Sequence, residues 1–168
     1  MKSLVLCIFW LFSVVAWAES GLEPSTNIDD DAQPILNYFT HSDAEYGISL
    51  HKLTWYEAQL YCAAQKYVLA NIPSYSAQVA LTQFIQGSGI DNLMLLTNEP
   101  IWVSGTNQGL ASQYVWHSSG ARIYYKNFLK TPTSANRCVA INGITGDWTD
   151  ENCRDKHYFV CEKQTCPA

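Results

Sequence analysis

The spacing of apolar and polar positions changes twice along the chain. Residues 46–53 alternate well enough to predict a strand, and two segments between residues 54 and 89 have the three-to-four-residue apolar spacing of helices. From residue 93 onward the helical spacing disappears, and short apolar segments are separated by turn residues. Two early helices followed by short strands with long loops predict an α+β domain.

The first helix is predicted to begin after Thr54 and to end near Lys66. Thr54 supplies a hydroxyl N-cap and Glu57 follows three residues later, which is the pattern of a capping box. One face of the helix contains Trp55, Ala58 and Cys62. Cys62 is therefore expected to point inward, where it suits a buried disulfide.

The second helix is predicted to follow Pro73, with Ser74 as its N-cap and residues 87–89 (Gly-Ser-Gly) as its end. Its apolar stripe is Ala77, Ala80, Leu81 and Phe84. The strands predicted after it are residues 93–96, 101–103, 114–116, 123–125, 138–141 and 158–161.

The two ends of the chain predict segments outside the folded domain. Residues 1–18 contain Lys2, an apolar run and small residues at Ala16 and Ala18, which is typical of a secretory signal peptide. The run is shorter than the roughly 20 residues that a spanning helix needs, and no later stretch predicts a membrane span. Residues 19–34 contain five acidic residues and no basic one, which predicts a flexible acidic leader. The folded domain is expected over residues 35–163, followed by a tail, residues 164–168.

Secretion to the extracellular space makes the cysteines candidates for disulfides. Five remain after the signal peptide, so at least one is left over, and any four of them allow three pairings. A zinc cluster around Cys153, His157 and Cys161 is the less favoured alternative, because secretion favours oxidised sulfurs. The five cysteines are Cys62, Cys138, Cys153, Cys161 and Cys166.

Charge and motifs argue against two other classes of function. The formal net charge of −5 disfavours nucleic-acid binding through a basic surface. The chain has no Gly-x-Ser-x-Gly motif, Gly-rich phosphate loop or paired-carboxylate signature, so no catalytic residue is assigned and no enzyme is expected.

Six motifs follow one another in the order of a known family. They are Trp55-x-x-Ala58-x-x-x-Cys62, Leu-Ala-Asn-Ile-Pro-Ser (69–74), Trp-Val-Ser-Gly (102–105), Trp116 with Tyr-Lys-Asn-Phe (125–128), Cys-Val-Ala-Ile (138–141) with Gly-Asp-Trp-Thr-Asp (146–150), and Tyr-Phe-Val-Cys-Glu (158–162). From about residue 36 to 163 the chain resembles the C-type lectin-like domain, most of all the small secreted single-domain lectins of invertebrates. The resemblance implies two helices, short antiparallel sheets, a long loop region, and the disulfides Cys62–Cys161 and Cys138–Cys153.

The resemblance also implies a ligand site in the long loop region. Sugar-binding members of the family hold calcium with two or three carboxylates, and the matching positions here are mostly hydroxyls and an amide. The implied ligand-binding residues are Thr131, Thr133, Asn136, Thr149 and Asp150, with Asp150 and Asn136 as metal ligands if calcium takes part. Because calcium prefers 6–8 oxygen ligands, one remaining carboxylate predicts a degraded site. Asp147 and Glu151 flank Asp150, either as a further cation site or as a solvated acidic turn.

The expected function is recognition without catalysis and without a required cofactor. The partner is an extracellular glycan or glycoprotein, bound through residues 105–151, and the alternative is a calcium-independent protein-binding or structural module. Cys166 is either a free thiol or the link of a covalent dimer. Tryptophans 55, 102, 116 and 148 are expected in the core, and Tyr114, Tyr124, Tyr125 and Phe128 are candidates for stacking on ligands, with core packing as their alternative.

Overall fold

Two helices pack against a mixed β-sheet in the computed structural model. The structure describes residues 36–41, 44–87, 99–110 and 112–163, with side chains from residue 45 onward. The α+β class and the C-type lectin-like architecture are confirmed. The predicted signal peptide, the acidic leader, the C-terminal tail with Cys166, and the predicted strand 93–96 lie outside the described residues.

The predicted helix caps are present. Helix α1 spans Trp55–Ala64, and the Thr54 hydroxyl accepts a hydrogen bond from the Glu57 backbone N–H while the Glu57 carboxylate accepts one from the Thr54 N–H. Helix α2 spans Tyr75–Gly87, and the Ser74 hydroxyl accepts a hydrogen bond from the Ala77 N–H (3.2 Å). The first helix ends slightly earlier than predicted.

The described residues form eight strands. Three of them, at residues 36–41, 67–69 and 148–151, are not among the predicted strands. The predicted strand 123–125 is wrong, because Arg122 makes only an isolated bridge to Val115, and the apolar pattern there reflects the burial of Ile123. The strands are β1 (Leu36–His41), β2 (Ala44–Ser49), β3 (Tyr67–Leu69), β4 (Pro100–Thr106), β5 (Val115–Trp116), β6 (Cys138–Asn142), β7 (Trp148–Glu151) and β8 (Tyr158–Lys163).

The sheet has the strand order β1-β2-β8-β4-β6-β7, with β3 paired to β8 and β5 paired to β4. The expectation of purely antiparallel pairing is wrong for β4 and β8, which run parallel. Parallel neighbours need a long crossover connection, and the long loop region between these two strands provides it. Both ends of the loop region therefore connect to strands in the middle of the sheet.

Both implied disulfides are present in the structure. Cys62–Cys161 links α1 to β8, and Cys138–Cys153 links β6 to the turn after β7. These bonds exclude the zinc alternative, because the sulfurs it needs are oxidised. The four predicted core tryptophans are all buried. None of the described helices has the length and apolar character needed to cross a membrane.

Candidate ligand-binding site

The long loop lies alongside one edge of β7. The Trp148 N–H donates to the Asn127 carbonyl (2.8 Å), and the Leu129 N–H donates to the Trp148 carbonyl (3.0 Å). The Phe128 ring packs edge-on against Trp148, with the centroids 5.4 Å apart. Since the other edge of β7 pairs with β6, these contacts place the following residues, 131–136, beside Asp150.

Thr133 and Asp150 form a two-bond contact that we call the Thr133–Asp150 clasp. The Thr133 backbone N–H (2.8 Å) and its hydroxyl (2.7 Å) both donate to the Oδ2 atom of Asp150. Hydrogen bonds to an ionised carboxylate are stronger than those between neutral groups. Asp150 is the one carboxylate at a position that matches the family's calcium ligands. Through this carboxylate the clasp fixes the loop on β7.

Two groups that sequence reasoning did not assign to this site hold Thr133 from the other side. The fully buried Asn107 donates from Nδ2 to the Thr133 carbonyl (3.2 Å) and accepts at Oδ1 from the Arg137 N–H (2.6 Å). The Tyr114 hydroxyl also donates to the Thr133 carbonyl (3.1 Å). Burial, aided by the nearby charge of Asp150, raises the pKa of Tyr114 to about 12. Tyr114 is thus a protonated, buried donor and not an exposed stacking residue.

The other predicted ligand residues do not take part in the clasp. The Oδ1 atom of Asn136 accepts a hydrogen bond from the Gly109 N–H (3.2 Å). The hydroxyl of Thr149 is buried and has no hydrogen-bond partner among the described residues. Thr131 is exposed. The structure therefore brings Thr133 and Asp150 together, while Asn136 and Thr149 take separate positions in the scaffold.

This arrangement does not fit a calcium ion. Calcium requires several converging oxygens with free lone pairs. Here Oδ2 of Asp150 faces two hydrogen-bond donors from Thr133, and the amide oxygen of Asn136 faces a third donor. Across the described ranges, no three His, Cys, Asp or Glu side chains lie close enough together to hold a metal. Asp147, Asp150 and Glu151 therefore do not form the cation cluster considered from the sequence.

A shallow groove of about 240 Å³ lies next to the clasp, and we call it the loop groove. Both contacts from Thr133 use Oδ2 of Asp150, so Thr133 leaves Oδ1 unused. Tyr114 also interacts with this carboxylate. Of the candidate stacking residues, Tyr124 is 85% exposed, whereas Tyr125 and Phe128 pack against Trp148. The groove is lined by Leu129, Lys130, Trp148, Thr149, Asp150 and Glu151.

Two helices on a mixed sheet, two disulfides and a long loop clasped to β7 are the features of a lectin-like domain. The family model of the lectin C-type domain matches residues 51–163. The chain therefore belongs to the C-type lectin domain family.

Similar proteins support the same assignment. The chain is 27% identical to the C-type lectin mosGCTL-7 of Culex quinquefasciatus over 172 residues, covering 90% of this chain and 95% of that one. The mouse scavenger receptor C-type lectin carbohydrate-recognition domain superposes with a TM-score of 0.63 at 23% identity, covering 78% of this chain and 98% of that domain. A calcium-independent type II antifreeze protein superposes with a TM-score of 0.60 at 19% identity, covering 76% of this chain and 91% of that protein. At these identities the two solved structures establish the fold.

Proposed function

We propose that this chain is a secreted recognition protein without catalytic activity that binds carbohydrate or glycoprotein ligands through residues 105–151 without calcium. The observation that carries the proposal is the Thr133–Asp150 clasp. In the clasp, hydrogen-bond donors of the loop itself occupy one of the two oxygens of the single carboxylate that a metal could use here. No cofactor is required.

Carbohydrate is the favoured ligand class because the relatives are lectins and one structural neighbour is named a carbohydrate-recognition domain. The loop groove offers both elements that a sugar needs. Leu129 is 61% exposed and supplies an apolar surface. The Oδ1 atom of Asp150, which Thr133 does not use, can accept a hydrogen bond from a sugar hydroxyl. Thr131 is exposed at the same loop and can donate or accept.

A glycan array tests this proposal when the secreted chain is applied in millimolar calcium and again in EDTA. We expect the same glycans to bind under both conditions. Asp150→Ala should weaken binding, whereas Asp155→Ala should not, because Asp155 is an exposed carboxylate on the turn after β7. Binding that EDTA abolishes would contradict calcium independence. A folded protein that binds no glycan would contradict the ligand class.

A protein partner is the second candidate, and an apolar groove of about 580 Å³ favours it. Leu60 is 73% exposed, and Tyr56 (43%) and Leu110 (44%) lie beside it on the groove between α1 and the turn after β4. Exposed apolar patches of this kind commonly mark protein contacts. Leu60→Asp should abolish binding of a protein partner and leave glycan binding unchanged.

We further propose that Cys166 links two chains through an intermolecular disulfide. An odd cysteine in a secreted protein is a candidate for such a bond, and the other four cysteines that remain after the signal peptide are paired within the chain. A non-reducing gel should show a dimer that Cys166→Ser converts to monomer. A band pattern unchanged by the substitution would contradict this part of the proposal.

A further inference from the structure

A further groove lies between α2 and two segments of the loop region. Its volume is about 320 Å³, and we call it the α2 groove. Its lining combines two tyrosines with several uncharged polar side chains. The residues that carry the argument are Tyr75, Thr82, Gln83, Tyr125, Asn127 and Asp147.

Tyr75 and Tyr125 form an aromatic wall of the α2 groove. Tyr75 is 70% exposed in the first turn of α2, and its ring meets the Tyr125 ring edge-on, with the centroids 6.5 Å apart. Tyr125 is itself fixed by packing on Trp148, with the centroids 5.6 Å apart. An exposed aromatic ring held in a fixed orientation suits the apolar C–H face of a pyranose, because both surfaces lose contact with water when they stack.

The floor of the α2 groove is rigid. The buried Gln78 accepts a hydrogen bond from the Trp148 indole N–H (2.6 Å) and donates to the Thr82 hydroxyl (3.0 Å) and the Gly146 carbonyl (2.9 Å). Asn127 donates to the same carbonyl (2.8 Å). Gly146 has a φ of +75°, and a Cβ there would lie 2.7 Å from Nε2 of Gln78, so the site requires glycine. These bonds join α2 to the loop and preorganise the groove for a ligand.

Polar groups at the rim remain available to a ligand. Within the part of the chain that the structure describes, the Asp147 carboxylate and the Gln83 amide make no hydrogen bond. A carboxylate acceptor beside an amide donor matches the needs of neighbouring sugar hydroxyls. Among the described residues that line the groove, Asp147 alone is charged, so a sialylated or sulfated sugar would meet like charge there.

We propose that the α2 groove is a second carbohydrate subsite, which takes a neutral pyranose stacked on Tyr75 and hydrogen-bonded by Asp147 and Gln83. The inference rests on the proposed function, because it assumes that the chain binds glycans. The inference adds a second binding location and a preference for neutral sugars, neither of which follows from the loop groove.

The test compares four variants on an array of neutral, sialylated and sulfated glycans. Tyr75→Ala should weaken binding of neutral glycans by about tenfold or more, while Tyr75→Phe, which keeps the ring, should bind like the wild type. Tyr124→Ala is the matched control, because Tyr124 is also an exposed tyrosine (85%) but does not line the groove. Asp147→Asn should also weaken neutral binding and relax the exclusion of sialylated glycans.

The outcomes separate the subsite from the proposed function. Binding that Tyr75→Ala reduces and Tyr124→Ala does not would support the subsite. Unchanged glycan binding by Tyr75→Ala would overturn the subsite and leave the proposed function standing. The same conclusion would follow if Asp150→Ala reduced glycan binding and Tyr75→Ala did not. Wild-type protein that binds no glycan would overturn both. In that case, loss of a captured protein partner on Tyr75→Ala would identify the groove as a protein contact.

Discussion

Two regions of the domain are stabilised in different ways, and both disulfides belong to the more apolar one. Around Cys62–Cys161, buried side chains such as Trp55, Leu69 and Phe159 form an apolar cluster between α1 and the sheet. Around the loop beyond Cys138–Cys153, positions depend on buried amides and on the Thr133–Asp150 clasp. An apolar core tolerates changes at the loop surface, so the fold can be kept while the chemistry of its site changes.

Removal of the disulfides should produce the largest effects on stability, and the longer bridge should contribute more. Cys62 and Cys161 are 99 residues apart, and Cys138 and Cys153 are 15 apart. Chain-entropy estimates predict losses of about 4.7 and about 3 kcal/mol, respectively, because the longer loop constrains the unfolded chain more. Urea unfolding of the Cys62→Ala/Cys161→Ala and Cys138→Ala/Cys153→Ala variants would measure both. A larger loss from the shorter bridge would contradict this ranking.

Substitution of Gln78 should show how strongly the loop region depends on a single buried amide. Gln78→Ala leaves the Trp148 indole N–H without its acceptor and removes one of the two side-chain donors to the Gly146 carbonyl. This loss should lower the free energy of unfolding by about 2–3 kcal/mol. Gln83→Ala on the exposed side of α2 is the matched control and should stay within about 0.5 kcal/mol. Thermal and urea unfolding of both variants provide the measurement, and equal effects would argue against a structural role for Gln78.

The clasp should contribute a smaller and separable amount of stability. Thr133→Val keeps the size of the side chain and removes the hydroxyl that donates to Asp150, at an expected cost of about 1 kcal/mol. In an Asp150→Ala background the same substitution should have little effect, because the shared interaction is already absent. Thr131→Val is the control in the same loop. Additive effects of Thr133→Val and Asp150→Ala would show that the two residues do not interact.

The smallest expected effect is a pH dependence of stability that comes from the carboxylate of Glu162 in β8. Burial raises the pKa of Glu162 above its ordinary value of 4.5, so the folded state holds this proton more tightly than the unfolded state does. The stability of the wild type relative to Glu162→Gln should therefore fall as pH rises above 4.5.

Glu57 is the control with the opposite sign. Hydrogen bonds from Thr54 lower the pKa of Glu57 below its ordinary value of 4.5, so its contribution is present above that value and is lost as pH falls. Urea unfolding at a series of pH values should give slopes of opposite sign for the two Glu→Gln variants. Parallel slopes would contradict the assignment.

The parts of the fold that follow from neighbouring residues could be predicted from the sequence. The Thr54–Glu57 capping box, the Ser74 cap and the inward position of Cys62 depend on spacings of three or four residues. The disulfide pairing came from the family resemblance, because spacing alone allowed several pairings. The parallel pairing of β4 with β8 could not be predicted, since it depends on how the long loop region returns to the sheet.

The candidate site was only partly predictable for a similar reason. The resemblance located Thr133 and Asp150, but the direction of their hydrogen bonds depends on the loop backbone lying alongside β7. Asn107 has the sequence context of an ordinary turn residue, and its role appears only when residues 133 and 137 are placed around it. Gln78 lies on a helix whose neighbours are mostly apolar, and no local pattern indicates that its amide bonds to Trp148.

The most direct test of the central claim follows the Thr133 backbone amide by NMR during a titration with millimolar calcium. If the Asp150 carboxylate is held by Thr133 and does not bind a metal, the Thr133 amide resonance should stay at the same position from EDTA to saturating calcium. A saturable shift of that resonance, with matching shifts at Asp150 and Asn136, would show that calcium displaces the clasp and would contradict the account.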